Sequence, residues 1–510
     1  SRFGSRTVTP MGLFEGWYED ANPKAAALAT LCGVSVFLFA IRRLGAHKPY
    51  EGHLRHEALK TLKHRFYSSK DGSLMCYFGA NLAQLKETLL VLRHGPQPPW
   101  FLRNPHVQFA PWLLQNYVHQ ASRLSVKFQR LWLPAADGRD RICLDVVPPL
   151  PVADPTASEA TAANWNAPLV LILPGLRGHS LDIPGQTLVR RLAVRGFRVC
   201  VLHFRAHTPG ANLKHPKVSL FGHDEDVEAA LLFLNQCYQK QQLHVPPIYM
   251  IGVSMGTAPA VTAACKWDQL QQSHLAGVVL LCPGYDCMRC FANFGQPYES
   301  MLRQTSMHHF LQRPEVSSAL ESRTVAMLEK RSHTFQAFVD NVNSLCWSDD
   351  ELIALLSEQV EMKAVATIYT LNRKICRDGL HKRGVCSAAD YQKLSFEAQI
   401  QLKTELAYEV YNPVNIFDHP LAYKTPCLIV NPIDDPCCSF ANICAQSQHD
   451  GRTYLDHLVS WDNIILAIPT TGSHLPSIDG MFPELVDGVM MLPSWTERAC
   501  VDFLEALNRR

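Results

Sequence analysis

The 510-residue chain has almost no net charge: 48 lysines and arginines face 46 aspartates and glutamates, a balance of +2. It therefore lacks the basic footprint that neutralises phosphates, and nucleic acid is not expected as a partner. It also lacks any Asn-x-Ser/Thr sequon, internal repeat or low-complexity tract. Solenoid and low-complexity classes are thereby excluded. Cysteine is not scarce, but the 17 cysteines are odd in number and scattered, unlike the dense framework of a small secreted scaffold. Both facts lean towards a reducing, cytosol-facing environment. What the chain does have is apolar substance, 47% hydrophobic against 18% charged residues. That suffices for a full core, in one large domain with insertions or in two domains.

Long uncharged runs are few, and one stands out. Ala25 to Ile41, "AAALATLCGVSVFLFAI", has no charge and ends at Arg42-Arg43. As a helix it spans roughly 25 Å, a little less than the ~30 Å hydrocarbon layer. Residues 44–47 make a poor signal-peptide cleavage site, and no short basic region leads in. A buried core helix is the competing reading, but every face of the run is apolar, which favours a membrane span. We read 1–23 as irregular and 24–42 as a single-pass membrane anchor. Basic residues follow it (Arg42, Arg43, Lys48, Arg55) and acidic ones precede it (Glu15, Glu19, Asp20). The positive-inside rule then places the large C-terminal part in the cytosol, with the endoplasmic reticulum as one candidate compartment. The basic flank could also meet anionic lipid.

Residues 45–130 read as short helices and loops, broken by the proline-rich "HGPQPPWFLRNPH". In "LWLPAADGRDRICLDVV", Asp137-Gly138 between two apolar runs signals a hairpin. Six apolar runs follow: "APLVLILPG" (167–175), "GFRVCVLHF" (196–204), "PIYMIGVS" (247–254), "LAGVVLLCPG" (275–284), "TPCLIVNP" (425–432) and "NIILAIPTTG" (463–472). Runs apolar on both faces suit strands covered on both sides. Helical stretches at 185–195, 223–239, 257–272 and 495–510 separate or follow them. The alternation predicts an α/β fold, a mostly parallel sheet with helices on both faces. The core spans 131–284 and 411–510, and the helical, charged stretch 285–410 reads as a cap inserted over the sheet's C-terminal edge.

"YMIGVSMGTAPA" puts Gly252-Val253-Ser254-Met255-Gly256 where a strand becomes a helix. A serine hydroxyl is a weak nucleophile unless a base sits beside it. A sharp strand-turn-helix bend lifts it clear, and brings the positions two before and two after so close that glycine suits both. A base and an orienting acid would follow in the order Asp, His. Asp434 and Asp435 lie just past the strand of "CLIVNPIDDP", and His474 lies past the last strand in "PTTGSHLP". Ser254, Asp435 and His474 are the candidate triad, with Asp434 as the alternative acid. The backbone N–H groups of Met255 and of Leu176, in "LPGLRGHS", are the candidate oxyanion donors.

In these motifs the chain resembles the family-4 α/β-hydrolases, the YheT-like esterases and lipases whose eukaryotic members include membrane-anchored acylglycerol lipases and phospholipases. The resemblance covers about residues 130–510. "ADGRDRICLDV" is similar to the family's hairpin, "LPGLRGHS" to its oxyanion loop, and "FGHDEDV" to its acidic helix start, including Asp226. "HFRAH" keeps the family's arginine as Arg205 but has Ala206 in place of glycine. "VNPIDDPCC" aligns its second aspartate, Asp435, with the triad acid. The family's Gly-Gly-His-x-Gly-Phe becomes Gly472-Ser473-His474-Leu475-Pro476-Ser477, and one cap motif is not recognisable. The resemblance implies a membrane-associated serine esterase or lipase acting on acyl esters, with no cofactor or metal. The altered segments keep a second reading open, a catalytically silent scaffold that binds a lipid or a protein. Three other patterns are weak. Cys282, Cys287 and Cys290 have part of an iron–sulfur spacing, His308-His309 point to different helix faces, and His457 with Asp462 loosely fits an acyltransferase motif.

Overall fold

All six apolar runs become strands. The structure, a computed structural model, describes residues 66–510 except 122–123, 151–165, 183–184, 209–212, 216, 219, 271–274, 293, 295–297, 321, 358–364, 415–422 and 448–449. The expected membrane anchor at 24–42 lies outside the described residues. Among the described residues, no helix is long and apolar enough to cross a membrane.

The parallel centre of the sheet is β6 (Arg198–His203), β5 (Leu169–Leu173), β7 (Ile248–Val253), β8 (Leu275–Leu281), β9 (Cys427–Val430) and β10 (Ile464–Pro469), side by side in that order. Every residue of β5, β6, β7, β9 and β10 is buried. That is why these runs show no alternation. On one edge β4 (Arg141–Val147) pairs antiparallel with β6, and β3 (Gln129–Pro134) pairs with β4 around the Asp137-Gly138 turn.

The other edge corrects the sequence reading. Residues 45–130 are not only helices and loops: β1 (Tyr67–Ser68) and β2 (Leu74–Phe78) extend the same sheet, β2 antiparallel to β10. Leu74 and Cys76 enter the core on one face while Met75 and Tyr77 pack on the other. A second two-stranded piece, β11 (Glu484–Val486) with β12 (Val489–Met491), was also not foreseen.

Helices Asp224–Lys240 and Thr257–Gln269 cover one face of the sheet, and Gly185–Val194 with Trp495–Asn508 cover the other. Between β8 and β9 the chain forms a helical cap with its own core, built around Phe310, Phe335, Phe338, Trp347 and Leu406. Buried polar bonds tie this cap to the helix at Asp224 and to the loop before it. Lys217 Nζ lies 3.1 Å from Glu351 Oε1. Asn372 Nδ2 donates to Asp224 Oδ1 (2.7 Å) and to Glu225 Oε2 (2.9 Å), and Tyr411 donates to Glu225 at 2.9 Å. Leu176 and Met255 are half-buried against the cap's core, so the cap sits over the turns that end β5 and β7.

Candidate active site

β7 stops at Val253, a one-turn 3₁₀ segment Ser254–Gly256 follows, and the helix Thr257–Gln269 starts at once. Ser254 has φ 52°, a left-handed conformation that costs an L-residue roughly 1–2 kcal/mol. The two glycines make the bend possible. A Cβ on Gly252 would lie 2.7 Å from Thr257 Cα and 2.8 Å from Ala260 Cβ. A Cβ on Gly256 would lie 2.1 Å from the carbonyl oxygen of Leu173 and 2.5 Å from that of Pro174. The elbow thus rests directly on the end of β5, and only a hydrogen fits between.

The loops after β9 and β10 meet at the same place. His474 Nε2 lies 2.8 Å from Ser254 Oγ. Its Nδ1 lies 2.8 Å and 3.0 Å from the two carboxylate oxygens of Asp435. Asp435 is buried, and its Oδ1 accepts the backbone N–H groups of Cys437 (2.7 Å) and Cys438 (2.8 Å). The three side chains form one hydrogen-bonded chain from hydroxyl to imidazole to carboxylate. With the Nδ1 proton directed at Asp435, Nε2 is free to accept the serine proton.

Asp434, in the turn just before Asp435, faces away. Its Oδ1 accepts the N–H of Ser473 at 2.8 Å and its Oδ2 accepts the hydroxyl of Thr471 at 3.0 Å. It therefore holds the backbone just before His474. Burial, with the nearby charge of Asp435, pushes its carboxyl up to about 6 despite these bonds.

The turn after β5 completes the enclosure. A Cβ on Gly175 would sit 3.2 Å from Ser254 Cβ, so this backbone passes directly over the serine. Leu176 follows on the same turn. Met255 lies in the first turn after the bend, where N–H groups have no partner within the helix.

Sequence reasoning did not anticipate Cys282. It directly follows β8 with φ 53°, fully buried, and its sulfur lies within 4.8 Å of ligand atoms of both Asp435 and His474. Among the described residues this cluster does not include Cys287 or Cys290. Cys290 instead lies 3.8 Å from Cys438 across the Asp435 loop. A metal bound by Cys282, Asp435 and His474 would have to break the imidazole–carboxylate bond, so this group is a poor metal site. His309 bonds the carbonyl oxygen of Ala206 at 3.0 Å, and His457 pairs with Asp450 at 3.2 Å rather than with Asp462.

Arg205 and Asp226 prove to be scaffold. The buried guanidinium donates to both oxygens of Asp226 (2.7 and 2.8 Å) and to Asp137 of the β3–β4 turn (2.5 Å). Ala206, where the resembled family has glycine, has φ 65°.

Residues 168–351 match the family model described as "alpha/beta hydrolase fold". No curated protein matches the chain in sequence. Among solved structures, it is similar to a bacterial heroin esterase (16% identity, 80% of this chain and 92% of that one, TM-score 0.36). It is also similar to a thermostable carboxyl esterase from Bacillus coagulans (14%, 68% and 90%, 0.32). A third is Est1E from Butyrivibrio proteoclasticus (13%, 75% and 99%, 0.34). Likeness at these scores assigns no chemistry to the chain. The matched segment and the order of the strands show that the chain carries an α/β-hydrolase fold.

Proposed function

We propose that the chain is a serine hydrolase of the YheT-like group, cleaving acyl groups from lipid-like carboxylic esters. The observation that carries this reading is the bonded chain Ser254–His474–Asp435 beneath the turn of Gly175 and Leu176. His474 Nε2 takes the Ser254 proton as Oγ attacks the ester carbonyl, and Asp435 holds the imidazole in register and balances its charge. The N–H groups of Leu176 and Met255 receive the oxyanion, each worth roughly 3 kcal/mol in comparable enzymes. When the tetrahedral intermediate collapses, His474 returns the proton to the leaving alkoxide. Water, or an alcohol if one occupies the pocket, then attacks the acyl-enzyme by the same route.

An apolar acyl chain is favoured by the cap, whose core reaches the side chains of Leu176 and Met255. The uncharged run at 25–41 supports a membrane anchor with the hydrolase part in the cytosol. The test is labelling by a fluorophosphonate probe. Labelling of the wild type that disappears in Ser254→Ala supports the hydrolase. An unlabelled, folded wild type would point to the silent scaffold instead.

A further inference from the structure

Large apolar side chains in full contact with water are unevenly spread over the described residues. The most exposed of them, Phe482 (79%), Trp100 (77%) and Leu485 (68%), belong to one neighbourhood, together with Phe101, Met481 and Met490. Hydrogen bonds join the segments that carry them. Gly480 N donates to the carbonyl of Gln97 at 3.0 Å, and Gln97 N donates to Asp479 at 2.7 Å. Leu492 N donates to Gln115 Oε1 at 2.5 Å, and His119 lies 3.3 Å from the carbonyl of Met490. The turn at Trp100–Leu102, the helix Pro105–Ala121, the bend after Gly480 and the β11–β12 hairpin thus make one continuous face. Soluble monomers seldom leave such a patch uncovered without a partner for it.

We infer that this face docks on a lipid surface, a second membrane contact on the hydrolase domain itself. The shape and chemistry fit a bilayer interface. The side chains project from turns and a short hairpin, and Trp and Phe are the residues that settle at headgroup level. Three acids of the face are matched by arginines: Asp479 by Arg498, Glu484 by Arg191 and Asp487 by Arg190. Among the described residues, these pairs leave no field of bare carboxylates to repel an anionic leaflet, and Arg103 stands exposed beside the aromatic pair.

The chain's point of entry agrees. The described chain starts at Phe66, and the β1–β2 turn that follows is bonded to this face through Gln97 Nε2 and Asp71 Oδ2 at 2.8 Å. The uncharged run ends at Ile41, two dozen residues before Phe66. A protein held by that run would present this side to the same bilayer. The face also adjoins the loop of His474, since Ser473 Oγ donates to the carbonyl of Pro105 at 2.6 Å and Ile478 N donates to Gln108 at 3.2 Å.

Photo-crosslinking of the full-length protein tests the contact without relying on esterase chemistry. p-Benzoylphenylalanine replaces Phe482 in one preparation and Leu232, an exposed residue of the helix Asp224–Lys240, in another. Each is placed in vesicles of phosphatidylcholine and phosphatidylserine (about 3:1) and irradiated. Lipid adducts at 482 at least ~5-fold above those at 232 support the proposal. Equal adducts at both positions overturn it, as does crosslinking at 482 to a second copy of the chain or to nothing. A second arm rests on the proposed hydrolase reading. Trp100→Ser with Phe482→Ser should lower turnover of a vesicle-embedded ester at least ~10-fold and that of a soluble p-nitrophenyl ester less than ~2-fold. Equal loss on both substrates counts against docking. If neither ester is turned over by the wild type, the hydrolase reading fails and the crosslinking alone decides.

Discussion

Asp435→Asn changes one oxygen to NH₂ in a site where each oxygen has an assigned task. Oδ1 accepts the N–H groups of Cys437 and Cys438, and an asparagine carbonyl can keep both bonds. The loop should therefore stay folded. The new NH₂ then faces His474 Nδ1 where Oδ2 stood at 2.8 Å. Two donors cannot share that contact, so the imidazole keeps its proton on Nε2 and can no longer accept from Ser254. The charge that balances an imidazolium is lost as well. The comparable substitution in serine proteases lowers turnover about 10⁴-fold, roughly 5.5 kcal/mol of transition-state stabilisation. We expect a loss of ~10² to ~10⁴ in kcat/KM on p-nitrophenyl esters, with thermal unfolding nearly unchanged. Asp434→Asn can keep the bond from Ser473 N and turn its amide towards the Thr471 hydroxyl, so its loss should stay below about tenfold. The opposite ranking would move the acid to Asp434. Small losses in both would mean that another group orients His474.

Ser254→Ala and His474→Ala should each remove nearly all turnover, and the double variant should be about as inactive as either single one, because the two act as one unit. Residual single-variant rates that multiply in the double would contradict this. Gly256→Ala places a methyl 2.1 Å from the Leu173 carbonyl oxygen, so β5 and the elbow must separate; a stability loss of ~2–3 kcal/mol or more in urea unfolding is expected, with lower activity. Arg205→Met leaves Asp137 and Asp226 facing each other without their shared cation, and unfolding should show a loss of ~3–5 kcal/mol. The stability advantage of wild type over Asp434→Asn should fall as pH rises from about 4 to about 6. With its carboxyl raised to about 6, the native state binds more protons than the unfolded chain in that window, so each step up in pH favours unfolding. The full swing is about 2–3 kcal/mol, and a difference flat across that window would refute it.

The sheet's centre was legible because burial on both faces leaves runs such as "LVLIL" and "IYMIGV" with no polar interruption. The positions of Ser254, Asp435 and His474 could be read from the same fact, since each follows the end of such a run. Edge strands carry less signal. β2 is five residues long, and its partner β10 lies nearly 400 positions away, so nothing local marks the pairing. The β11–β12 hairpin did have a local mark that went unread. Asp487-Gly488, both with positive φ, is the same Asp-Gly turn signal recognised at Asp137-Gly138. The tasks of Asp434 and Cys282 depend on distances between loops, and a linear pattern does not carry those. The same holds for Arg205, whose two carboxylates come from a hairpin turn and from the start of a helix.

The backbone itself points to the sheet edge on which Ser254 sits. Among the described residues, nine non-glycine residues have positive φ. Seven of them, Arg177, Ala206, Ser254, Cys282, Ser473, Leu475 and Ser477, follow the C-terminal ends of β5, β6, β7, β8 and β10. Each costs about 1–2 kcal/mol, and such strain persists only where the surroundings over-determine it. The surroundings here can be named. Asp434 grips the N–H of Ser473, His309 holds the carbonyl of Ala206, and the Arg205 ion pairs lock the chain beside it. This gives Arg205 and the acidic helix start a physical meaning. They do not touch the serine; they keep the turns around it in conformations that the chain would otherwise leave. Relaxing one of these turns should therefore cost activity before it costs the fold. Arg205→Met, which removes the grip beside Ala206, is expected to lose turnover at urea concentrations where its circular dichroism is still native. Parallel loss of both signals would mean that the ion pairs serve the fold as a whole and not the turns at this edge.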